Sequence, residues 1–216
     1  MDVVPPQNLL AFTVAALVLI VIPGPSVLFT IGRTLALGRL GGLLSVLGNA
    51  LGLLPVIGLV AIGVGGIVAR SAVLFTIVKV AGALYLMFLG VQAIRHRNRA
   101  AEAATSGALP RSHRRQLVEG FVVGLTNPKT MAFFVAVLPQ FVDLDAGAVP
   151  LQMIQLGLIF FVIALLSDGA WALAAAGARG WFGRSPKRIA ALSATGGGLM
   201  IGLGGILLFS GNSTDA

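Results

Sequence analysis

The sequence predicts an all-α membrane protein, with six transmembrane helices in a 3+3 inverted-topology repeat. Three observations predict it. Residues 3–32, 40–69 and 189–214 carry no charged side chain, and each run exceeds the about 20 apolar residues that a helix needs to cross a bilayer. The basic residues gather in three connecting segments. Two of the apolar runs, one in each half of the chain, are interrupted by proline.

Composition supports the class. Of 216 residues, 57% are hydrophobic and 10% charged, against about 25% charged in a soluble domain; the mean hydropathy is +0.98. The runs are continuous and do not alternate as barrel strands do, so helices are the expected spanning form. The chain has no cysteine, which excludes disulfides, thiolate metal sites and dithiol redox chemistry. The first residues lack the basic segment of a signal peptide, so the first apolar run is expected to be a retained helix.

Taken in order, the spans are expected at 7–32, 40–68, 71–94, 116–142, 150–178 and 189–210. Span 1 is interrupted by Pro23-Gly24-Pro25, span 2 carries Asn49 and Pro55, and span 3 carries Lys79. Span 4 is interrupted by Asn127-Pro128-Lys129, span 5 carries Asp168, and span 6 is apolar and rich in glycine. The whole chain, 1–216, reads as a single transmembrane transporter domain, with repeat halves at about 1–95 and 116–216 and a cytoplasmic linker at about 96–115.

The net charge of +8 is placed asymmetrically. Twelve of the fifteen Lys and Arg residues lie in the connections 33–39, 95–115 and 179–188. The opposite connections carry Arg70 alone, with the acids Asp2, Asp143, Asp145 and Asp215. Cytoplasmic loops hold the Lys/Arg excess, so the basic loops are expected inside and both termini outside. The same rule accounts for the charge without a nucleic-acid partner, and the 95–115 segment has no aromatic residue for base stacking.

Three spans per half are an odd number, so the second half enters the membrane from the opposite side, as in inverted repeats. Proline removes a backbone donor and clashes with the carbonyl four residues earlier. Inside a bilayer such freed groups persist only where protein or a water-filled cavity satisfies them. Matched breaks in spans 1 and 4 therefore point to a transport site. Pro55 has no counterpart and reads as an ordinary membrane proline.

Depth sharpens the pattern. At 1.5 Å per residue, Pro23 and Pro25 lie about 12–15 Å from the basic side, and Asn49 and Asp168 about 15–16 Å from it. Lys129 is fourteen residues from both Arg115 and Asp143, near the middle of a core about 30 Å thick. A charge there costs at least about 2.5–3.5 kcal/mol, so it is expected to face the bundle interior or a cavity. Asp168, the one acid deep in a span, is a candidate for a coupling proton or a substrate ammonium; its structural alternative is a buried, paired Asp. Lys129 either faces a substrate carboxylate or only neutralises Asp168. Lys79 is near enough to Arg70 to reach the interface. Asn49 and Asn127 either hydrogen-bond a ligand or cap freed backbone. Glu119 reads as interfacial, and His96 and His113 as loop residues with no metal role. The Gly-x-x-x-Gly pairs 38/42, 48/52, 120/124 and 198/202 read as helix-packing sites.

The segments "IPGPSVLFTIGRTLALGRLGGLLSVLGNALG" (22–52), "VKVAGALYLMFLGVQAIR" (78–95) and "GFVVGLTNPKTMAFFVAVLPQF" (120–141) resemble the lysine-exporter family, LysE/RhtB, of bacterial amino-acid efflux proteins. The likeness runs along nearly the whole chain. It implies an inner-membrane exporter of amino acids or related small metabolites, driven by the proton motive force. The motif positions it carries over are Pro23, Gly24, Pro25, Lys79, Gly82, Tyr85, Asn127, Pro128 and Lys129; Asp168 falls where relatives tend to carry an acid. The partners implied are an amino acid, protons and the lipid bilayer. No cofactor, metal or catalytic residue is expected, and oligomeric state, a homo-oligomer included, is left open.

Three other classes fit less well. A membrane enzyme needs a catalytic set at depth, and no span contains histidine. A scaffold subunit has no need of paired breaks and buried charges at one level. A passive channel stays within the transport class; substrate counterflow separates it from a carrier.

Overall fold

The computed structural model describes residues 4–68, 72–105, 112–178, 180–181 and 185–209. Asp2, Arg70, Arg111, Arg179, Arg184 and Asp215 lie outside them, as does the side chain of Lys79. Among the described residues the fold is helical throughout: α1 (Pro6–Val21), α2 (Pro25–Val68), α3 (Ala72–Arg95), α4 (Arg97–Thr105), α5 (His113–Leu125), α6 (Pro128–Ala136), a 3₁₀ turn (Leu138–Phe141), α7 (Val149–Gly177) and α8 (Pro186–Phe209). Several of these helices open on proline, where the missing N–H removes a donor that a helix start leaves unpaired anyway.

Among the described residues, four helical stretches are long and apolar enough to cross a bilayer: Pro25–Gly63, His113–Phe141, Val149–Gly177 and Pro186–Ile206. Pro6–Val21 and Val80–Arg95 are shorter apolar helices. The outward surface is apolar, with Leu10, Leu59, Ile62, Val73, Leu166 and Ile206 exposed; the buried polar groups face inward. That is the inverse of a soluble surface and suits a lipid surround. Pro55 lies within α2 on its exposed side, and the helix runs on through it.

Two expectations are corrected. The connection 33–39 was expected as a loop, yet helix continues on both sides and Gly38 alone leaves helical geometry, at φ 78° and ψ −175°. A side chain is strained at that φ, so glycine fits the bend. The bend folds α2 back on itself. In a straight helix Thr34 and Gly42 lie about 12 Å apart along the axis, but a Cβ at Gly42 would fall 2.0 Å from Thr34 Oγ1. The segment 95–115 was also expected as a loop, and 97–105 is helix α4, which packs on α8 and α2 with Ala101 buried.

The second half of α2 forms the centre of the bundle, between α5 and α7. A Cβ at Gly48 would fall 2.1 Å from the Leu117 carbonyl oxygen, and one at Gly124 would fall 2.0 Å from that of Asn49. The two Gly-x-x-x-Gly faces therefore meet backbone to backbone, as expected. The 198/202 pair meets nothing within 4 Å and is no packing site among the described residues. Instead α3 packs on α8 through Gly90 and Gly197, each against the other's carbonyl oxygen. On the side away from the basic segments, Phe12, Phe133, Phe134 and Phe160 form an aromatic cluster joining α1, α6 and α7, with Phe134 and Phe160 edge to face at 4.8 Å.

Candidate functional site

The two proline breaks meet at one cleft. α1 ends at Val21, Ile22 turns extended, and α2 restarts at Pro25. α5 ends at Leu125, Asn127 is extended, and α6 restarts at Pro128. Both new helices begin at the cleft, which is lined by Ser26 and Ile20 at one break and by Asn127, Lys129 and Thr130 at the other. Asn49 and Leu53 of α2 and Phe160, Ala164 and Asp168 of α7 complete it. The cleft has an internal volume of about 20 Å³, room for about one water molecule.

Each break satisfies part of its own or the other's backbone. Asn127 accepts a hydrogen bond from the Lys129 N–H at 3.1 Å, capping α6. The Lys129 ammonium crosses to the other break and donates to the Ile22 carbonyl oxygen at 2.6 Å. Its stem lies over Gly24, where a Cβ would fall 2.9 Å from Lys129 Cδ. The space that a side chain at Gly24 would take is thus filled by Lys129.

Asp168 and Asn49 are both buried, and Asn49 Nδ2 donates to Asp168 Oδ2 at 2.8 Å. The Asn49 side-chain oxygen, Oδ1, has no hydrogen-bond partner. Lys129 and Asp168 line the same cleft, but no direct ion pair joins them: the lysine is held by backbone and the aspartate by Asn49. The two buried charges act on one another across the cleft, while each is held by a different hydrogen-bond partner. A ligand of mixed charge could bridge them.

Not every expected residue is brought here. Asn49, Asn127, Lys129 and Asp168 line the cleft; Gly24 lies under Lys129; Pro128 opens α6 beside it. Pro23 is buried against α8, where a Cβ at Gly196 would fall 2.0 Å from its carbonyl oxygen. Pro25 opens α2 on an exposed side. Tyr85 is not brought to the cleft: it is exposed on α3, stacked on Phe88 at 6.1 Å. The motif fixes its place in the sequence but not its direction. Gly82, from the same motif, faces inward and admits Ala136 of α6.

Ser26, Thr130, Leu53, Phe160 and Ala164 were not foreseen. Helical spacing could have found several, because Leu53 is one turn after Asn49, and Ala164 and Phe160 are one and two turns before Asp168.

Known proteins bear on this geometry. An uncharacterized membrane protein of Vibrio cholerae is 36% identical over 199 residues, covering 92% of this chain and 95% of that one. A homoserine/homoserine lactone efflux protein of Salmonella typhi is 30% identical over 197 residues, covering 91% and 94%. The protein of the same name from Salmonella typhimurium matches to the same extent. No solved structure matches. The family profile of the LysE type translocators matches residues 17–211, and the chain belongs to that family of membrane transport proteins.

Proposed function

We propose that this protein is a secondary active exporter of amino acids or close derivatives, driven by the proton motive force across the bacterial inner membrane. The observation that carries the reading is the meeting of two half-helix starts, a lysine and an aspartate at one buried cleft. Helix N-termini carry partial positive charge and offer N–H donors to anions. The starts at Ser26 and Thr130, with Lys129, suit a substrate carboxylate. Asp168, oriented by Asn49, suits the ammonium or a coupling proton.

The relatives' names sharpen the assignment. Homoserine and its lactone share an α-ammonium, but only homoserine has a free carboxylate. Asp168 is then the anchor common to both, and Lys129 favours the open acid. A cleft with room for about one water cannot hold an amino acid, so transport requires the helices to part. Six spans in a 3+3 arrangement fit the contacts: the second half of α2 lies on α7 and α3 lies on α8, each against its counterpart in the other half.

Reconstituted liposomes test the reading. Against a panel of amino acids, an imposed proton gradient should drive at least one substrate beyond its equilibrium distribution, and Asp168→Asn should abolish that accumulation while still inserting and folding. Equilibration without accumulation would indicate a channel. Undiminished, pH-dependent accumulation by Asp168→Asn would place coupling elsewhere.

A further inference from the structure

A seam of buried hydroxyl groups runs from the cleft toward the basic segments. On the first half of α2, Ser26 lines the cleft, and Thr30 and Thr34 follow one and two turns on, both fully buried. On the returning half, Asn49 lines the cleft and Ser45 lies one turn further from it. The contact between Thr34 and Gly42 shows that these two faces oppose one another. The other face of the first half, Val27, Ile31 and Leu35, is packed in an apolar cluster with Ala175, Ile189 and Ala190. The hydroxyls therefore line an internal seam and do not face lipid.

Two hydroxyls in the seam are satisfied by their own helices: Thr34 donates to the Thr30 carbonyl at 2.8 Å, and Ser45 to that of Gly41 at 2.9 Å. Thr30 Oγ1 and Asn49 Oδ1 are buried with no partner. A buried polar atom left unpaired costs about 1–3 kcal/mol, and such atoms call for an occupant in some state of the molecule. An ion cluster lies beside Thr34: Arg33 of α2 pairs with Glu119 of α5, Arg115 donates to Glu119 at 3.0 Å, and Arg33 also stacks on Phe29 at 5.1 Å. The Arg33–Glu119 pair ties the first half of α2 to α5 at the level of Thr34.

We propose that this seam is the route between the cleft and the basic-loop side, and that the Arg33–Glu119 pair is its gate. Its direction and its cargo rest on the exporter reading above. The chemistry suits a small zwitterion with its water. Neutral hydroxyls both donate and accept, so Thr30, Thr34 and Ser45 pass an ammonium and a carboxylate without trapping either. At the gate a zwitterion offers a carboxylate to Arg33 and an ammonium to Glu119. It can replace each partner as the pair separates.

The chain has no cysteine, so single cysteines report accessibility without background. Thr30→Cys, Thr34→Cys and the control Ile31→Cys would be treated with a charged, membrane-impermeant thiosulfonate in inside-out vesicles. The two seam cysteines should react at least about tenfold faster than Ile31→Cys. Adding Glu119→Gln should accelerate them about tenfold more, the factor expected from losing one hydrogen bond to a charged group in a gating equilibrium. Ser45→Cys, on the facing wall, replaces any threonine variant that inserts poorly. Seam cysteines that react no faster than Ile31→Cys in both backgrounds would overturn the route. Reaction unchanged by Glu119→Gln would overturn the gate. Because reactivity is read without transport, a reactive seam in a protein that exports no amino acid would leave the route standing and refute only the cargo.

Discussion

Lys129 is the residue on which the two breaks depend together. It follows Pro128 in the first turn of α6, reaches across to Ile22, and fills the space above Gly24. Gly24→Ala is therefore expected to push aside the flexible end of the lysine while leaving the fold intact. Substrate affinity should fall about tenfold, the effect of about 1.4 kcal/mol, with the melting temperature in detergent lowered less than by removing the ammonium altogether. Lys129→Met keeps the stem but leaves the Ile22 carbonyl without its donor. It should cost about 1–3 kcal/mol of stability, read as a lowered melting temperature. Much at this scale was legible from depth alone, because a charge or carboxamide mid-span stands out against apolar neighbours. Ser26 and Thr130 were not, because a hydroxyl can return its hydrogen bond to its own helix and so carries no such signal. The outward direction of Tyr85 could not be read, because a motif has no direction until its helix is packed.

Among the helices, glycine spacing revealed where close contacts form but not with which partner. The pairs 48/52 and 120/124 meet each other, whereas 198/202 opens outward. The contrast is testable. At Gly124 a Cβ would strike the backbone of Asn49, so Gly124→Ala must part α2 from α5 and disturb the residue that holds Asp168. A loss of about 1–3 kcal/mol is expected. Gly202→Ala meets open space and should be neutral or stabilising by up to about 1 kcal/mol, since alanine favours helix. Equal thermal shifts for the two variants would contradict the packing described. The bend at Gly38 could not be read from spacing, because the residues on either side of it are good helix formers and one backbone angle makes the turn.

For the whole molecule, apolar runs were enough to identify a multi-pass membrane protein, because the lack of water inside a bilayer restricts spanning backbone to few forms. The helix α4 escaped notice because its sequence is polar and short. Charge asymmetry makes the orientation a separate prediction: Thr105→Cys, beside the basic linker, should stay unlabelled by an impermeant thiol reagent in intact cells, and labelling would reverse the assignment. The central claim is that an amino acid lies between Lys129 and Asp168 at the joined breaks. The most direct measurement compares binding of a transported amino acid and its methyl ester to the wild type and to Lys129→Ala. If Lys129 faces the carboxylate, the variant should lose affinity for the acid about tenfold or more while binding the ester nearly as before. An equal loss for acid and ester would contradict the account, leaving Lys129 as a brace between the two breaks.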